Sequence, residues 1–186
     1  MTSKSQCTED KTQWLWIAVL AGATVLLSLA FACATPVAAL ATLAALVLPQ
    51  RDGLYLIAAV WLSNQIVGFG LLNYPHTLDS YGWGLAIGVG ALAAYLAARA
   101  IVDRTSALAP AVTIVAAFVS AFVAYEGILY GATFVLGGED AFSAEVVGRI
   151  ALINVAALAV LLVAHRLGAS LGFVRDRVDR VQQQPI

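Results

Sequence analysis

Ser63, Asn64 and Gln65 place three consecutive hydrogen-bonding side chains inside an otherwise apolar run from Gly53 to Leu72. A buried amide without a partner costs about 2 to 7 kcal/mol, so these side chains must face protein, water or a ligand rather than lipid. On a helix Trp61, Asn64, Gln65, Gly68 and Leu72 share one face, at spacings i, i+3, i+4, i+7 and i+11. Trp61 supplies a flat surface there and Gly68 leaves room. Glu126 is a second anomaly, because an intramembrane carboxylate costs about 3 kcal/mol or more unless it is paired, protonated or wet. Tyr125 precedes it, Tyr130 lies one turn further on, and Arg149 and Asn154 sit in the last apolar run.

Each of these signals has two readings. Arg149 is a geometrically possible ion-pair partner for Glu126, and ligand binding or proton handling is the alternative. Asn64 and Gln65 either bind a ligand or join helices through hydrogen bonds, a contact worth about 0.6 kcal/mol. Taken together, Trp61, Asn64, Gln65, Tyr125, Glu126, Tyr130 and Asn154 form a candidate substrate-binding set. Stacking and directed hydrogen bonds from such groups suit a small polar, partly aromatic solute.

Catalytic chemistry finds little support. His76 and His165 are the only histidines, and a six-span topology puts them on opposite sides, so they cannot share a metal. The chain has no Cys pair, HExxH motif, nucleophile elbow or Gly-rich phosphate loop. Ser63 and Ser120 lack a histidine at matching depth to act as base. The chain is expected not to be an enzyme and to need no cofactor; one axial contact from His76 to a cofactor metal is the residual option.

The elements that must position these residues follow from composition. Of 186 residues 61% are hydrophobic and 11% charged, against about 25% charged in soluble domains. Mean hydropathy is +0.88. This is the composition of an all-α, polytopic integral membrane protein. A net charge of −1 argues against nucleic acid as a partner. Cys7 and Cys33, one in the polar leader and one ending the first apolar run, do not make a disulfide framework. Ala30-Phe31-Ala32-Cys33 only faintly matches a lipoprotein cleavage box, since Phe31 fits poorly and the preceding run exceeds a signal core.

Apolar runs of about 20 residues predict spans at 14–34, 53–72, 81–102, 107–134 and 147–167, with a shorter run at 36–48. Pro36 either kinks one long helix or opens a separate short one. Charge favours the second. With six helices and both termini cytoplasmic, nine of the ten basic residues fall inside and only Arg149 outside. Asp79, Glu139, Asp140 and Glu145 then occupy the outer loops. Trp14 and Trp16 at the inner edge, with Tyr74, Tyr81 and Trp83 at the outer edge, fit an aromatic belt.

That sidedness brings Gln65, Glu126, Tyr130, Arg149 and Asn154 to the outer half of the membrane, where they are able to line one cavity. The chain divides into a polar leader, 1–13, a six-helix domain, 14–167, and a cytoplasmic tail, 168–186. In the tail Leu171, Val174, Val178 and Val181 form an amphipathic pattern that suits the membrane surface or a docking partner.

Small residues recur at spacing four: Ala41 and Ala45, Gly84 and Gly88, and the ridge Ala30-x-x-x-Ala34-x-x-x-Ala38 on the first span. With six spans, about 190 residues, an outward polar cluster and that ridge, the chain resembles the substrate-binding components of energy-coupling-factor transporters. The resemblance implies an inner-membrane (plasma-membrane) subunit that takes up a small vitamin-like solute through an outward-facing pocket. It also implies a transmembrane coupling subunit with ATPases as partner. The residues equally allow a non-transporting scaffold or accessory subunit of a larger membrane complex, or a proton-coupled carrier using Glu126.

Overall fold

The structure, a computed structural model, describes residues 35–105 and 107–170. All its described elements are helical: α1 (Val37–Val47), α2 (Gln50–Gln65), α3 (Leu78–Arg104), α4 (Pro110–Leu136) and α5 (Ala144–Ser170). A π-type turn, Ile66–Leu71, prolongs α2, and a 3-10 turn, Glu139–Phe142, joins α4 to α5. Among the described residues four helices are long and apolar enough to cross a membrane, the first of them Gln50–Leu71. α2, α3 and α5 start three residues before the apolar runs that announced them, because their first turns are partly polar, whereas α4 starts at Pro110, three residues inside its run. Thr77 caps α3 by accepting from Ser80 N at 3.3 Å, Pro110 occupies the first turn of α4, and Gly137 (φ 74°) ends it. The expected span 14–34, the leader and the tail beyond Ser170 lie outside the described residues.

The short run at 36–48 is a separate helix. Pro36 stands outside it with φ −77° and ψ 66°, and Leu48 is extended (φ −101°, ψ 151°), as a residue before Pro49 must be. Nine of its eleven residues are buried. An all-round apolar helix has to be enclosed, and α1 packs against all four others. α5 docks on the bundle mainly through α1, whereas α3 and α4 share the most extensive interface, with Ala91, Ala94 and Ala98 buried on one and Ala117 and Ala121 on the other.

Eleven residues make a rod of roughly 16 Å, about half an apolar bilayer core, so both ends of α1 fall inside the protein body. Backbone groups there need protein partners. Two side chains from the long helices provide them. Asn154 on α5 accepts from Ala39 N through Oδ1 at 3.2 Å, and its Nδ2 donates to Ile150 O at 3.0 Å. At the other end Arg99 Nη1 donates to Leu48 O at 3.0 Å and Ala45 O at 3.3 Å. Nearby, the fully buried Tyr95 donates through its hydroxyl to Gln50 O at 3.1 Å, and Gly53 leaves the space its ring occupies.

Asn154→Leu should lower stability by about 1–3 kcal/mol, since it strands the Ala39 N–H in the interior. Thermal unfolding in detergent measures this; an unchanged midpoint would mean that α1 is anchored by other contacts.

Candidate functional site

A cavity of about 510 Å³ lies at the end of the bundle where α2 meets α3 and α4 meets α5. α2 contributes Trp61 and Asn64, α3 contributes Trp83 and Ile87, α4 contributes Tyr125 and Glu126, and the 3-10 turn contributes Phe142. The N-terminal end of α1, at Thr35 and Val37, closes one side, and Val146 and Ile150 on α5 close another. The volume falls in the range of small-molecule sites, about 300–1,000 Å³, and the walls are largely apolar, as such sites usually are.

Trp61 is held rigidly. Its indole Nε1 donates to Gly84 O at 2.8 Å, and its ring lies against Gly88. Gln65, one turn later, packs its amide oxygen on Gly84. Gly84 and Gly88 at spacing four are therefore a slot on α3 that receives two large side chains from α2. Asn64 projects differently and lines the cavity.

Of the seven predicted site residues, the structure brings Trp61, Asn64, Tyr125 and Glu126 to one cavity. The other three stand elsewhere. Gln65 fills the α2–α3 interface, because the helix phase that turns Trp61 toward α3 turns Gln65 there too. Asn154 is 3% exposed and committed to α1 and its own helix. Tyr130 is exposed and outside the lining, and its ring packs on Phe142, which does line the cavity, with centroids 5.5 Å apart. The shared face proposed for α2 also breaks at its far end. The π-type turn widens the helix after Gln65, Gly68 packs on the Tyr74 ring, and Leu72 is left exposed. Such turns recur at functional sites.

Glu126 is 9% exposed, and its Oε1 has no hydrogen-bond partner among the described residues. The ion pair with Arg149 does not form. Arg149 is exposed, and Arg99 pairs instead with Asp103 at 3.3 Å. Burial of a polar atom without a partner costs about 1–3 kcal/mol, more when it is charged.

Trp83, expected in an outer belt, turns into the cavity instead. Phe142 carries no sequence signal, because a 3-10 turn has no periodicity to betray it. Val146 and Ile150 carry a weak signal, spacing four at the start of the last span. Outside the cavity lining Phe69 stacks on Tyr81 and on His76, whose Nδ1 lies 2.8 Å from the Tyr81 hydroxyl. His165 is far along α5 from this cluster, and no group of three or more His, Cys, Asp or Glu side chains that could hold a metal occurs among the described residues.

Comparisons with family models, with curated proteins and with solved structures found no match.

Proposed function

We propose that the chain is a substrate-binding and translocating subunit of a membrane transport system, taking up a small vitamin-like solute through the cavity. The observation that carries this reading is a single cavity walled by Trp61, Trp83 and Tyr125 that also holds one amide, Asn64, and one carboxylate, Glu126. Rigid aromatic walls with few polar groups suit recognition of one solute. On this proposal the chain crosses a plasma membrane six times with both termini inside. The cavity then opens outward, at the end that carries Asp79, Glu139, Asp140 and Glu145, and Arg51, Arg104 and Arg166 face the cytoplasm. No nucleotide-binding motif occurs in the sequence, so energised uptake would come from a partner coupling subunit with ATPases. The chain itself is proposed not to be an enzyme.

A solute screen by thermal shift on the purified protein tests the reading. A true ligand at about 100 times its Kd adds about 2.7 kcal/mol of stability. Trp61→Ala and Asn64→Ala should abolish that shift while the proteins remain folded. A shift that persists in both variants, or a screen with no ligand at all, would remove the proposal.

A scaffold or accessory subunit is the second reading, and Gln65 and Asn154 favour it, since both serve helix packing. It predicts co-purification of a stable membrane complex whose assembly survives Trp61→Ala.

A further inference from the structure

We infer that the occupant of the cavity is an organic cation, a protonated amine or quaternary ammonium carried on an apolar or aromatic body. This rests on the substrate-binding reading above and names its chemical class.

Three observations converge. Glu126 lines the cavity, is nine-tenths buried, and keeps an oxygen without a donor among the described residues. No described Lys, Arg or His lines the cavity, so among the described residues no cation answers the carboxylate. Arg149, the nearest candidate in sequence logic, is exposed and unengaged. The remaining walls supply four aromatic side chains, Trp61, Trp83, Tyr125 and Phe142. Aromatic faces attract cations, Trp most strongly, and they do so best when the cation is desolvated.

Other charge types fit worse. An anion would meet a lone carboxylate in a low-dielectric space. The helix N-termini that border the cavity are already served, α1 by Asn154 at Ala39 N and α5 by Ser143 at Val146 N. A sugar-like neutral solute would need many hydrogen bonds, and besides Glu126 and the Tyr125 hydroxyl the described walls offer as polar side-chain groups only the Asn64 amide, the Thr35 hydroxyl and the Trp83 indole N–H, since the Trp61 N–H is bonded to Gly84 O. The apolar area accepts the body of the cation, and Glu126 its head.

The test uses full-length protein in maltoside micelles free of choline lipids, with calorimetric titration of three probes. Benzyltrimethylammonium is the cation, neopentylbenzene its uncharged isostere, and phenylacetate an anion of similar size. The cation should bind about tenfold or more tightly than either of the others. Glu126→Gln should cut cation affinity by about tenfold or more and leave the isostere within about twofold, while Glu126→Asp, which keeps the charge, should retain the preference. Soluble dihexanoylphosphatidylcholine should compete more weakly than the free cation, which separates a solute from a lipid headgroup.

Tighter binding of the headgroup analogue would overturn the free-solute assignment. Equal or tighter binding of neopentylbenzene or phenylacetate, abolished by Trp61→Ala, would overturn the cation and leave the substrate-binding reading standing. A cation preference unchanged in Glu126→Gln would overturn it as well. Failure of all three probes, together with an empty solute screen, would remove both.

Discussion

Arg99→Met is expected to destabilise the protein by about 3 kcal/mol, a large share of the 5–15 kcal/mol typical of a folded domain. The cause is local. Arg99 Nη1 reaches the carbonyls of Ala45 and Leu48, which close the last turn of α1, and its side chain is only 12% exposed. A hydrogen bond from a charged donor contributes about 1.5–3 kcal/mol, and Met removes two of them while leaving both acceptors in the interior. The guanidinium also opposes the negative end of the α1 dipole. Arg99→Lys should recover part of the loss, because an ammonium keeps charge and donors but not the planar fork in which Nε holds Asp103 while Nη1 serves α1. Asp103→Asn should cost less than about 1 kcal/mol, since Asp103 is exposed and such pairs are weak. Thermal unfolding of the three variants in one detergent gives the ranking. A Met variant as stable as its parent would show that α1 does not depend on this contact.

Arg99 also marks the boundary of what the sequence discloses. As a charge it helped assign an inner side; as a hydrogen-bond donor to a helix about fifty residues earlier it had no signature. Hydropathy and the stiffness of proline were enough to find α1, because Pro36 and Pro49 bracket a run that is apolar but for Thr42, and each restricts its neighbours. What completes α1 comes from α3 and α5, and spacing within one helix is silent about partners on another.

The same limit divides the candidate site. Trp61, Asn64, Tyr125 and Glu126 were legible because polar or aromatic groups in an apolar run need a reason, and one cavity supplies it. Gln65 obeyed the same logic and was met by Gly84 instead. A buried amide needs some partner, and its chemistry does not say whether that partner is a ligand or a helix. Trp83 shows the converse, since an aromatic at a span's edge reads as an interface anchor until a neighbouring helix is placed beside it. Leu72 failed for a third reason: the i+11 position assumes a regular helix, and the π-type turn at Ile66–Leu71 breaks the phase.

Gly88→Val should both destabilise the protein, by about 1–3 kcal/mol, and weaken binding of the solute proposed for the cavity by about tenfold or more. A Cβ at Gly88 would stand 2.7 Å from Trp61 Nε1 and 2.8 Å from Cε2, too close for either atom to remain. Trp61 cannot simply swing aside, because its Nε1 is bonded to Gly84 O and Gln65 fills the next slot along α3. The indole must break that bond and move relative to the cavity it lines, so a substitution whose own residue is not a wall of the cavity changes its shape. The double variant distinguishes this from a general loss of packing. On a Trp61→Ala background the ring that the added valine side chain would strike is gone, and the further cost of Gly88→Val should fall below about 1 kcal/mol, a strong non-additivity between neighbours. Strictly additive losses in thermal unfolding would mean that Gly88 acts through the α3 backbone alone, and that the seating of Trp61 is not what shapes the site.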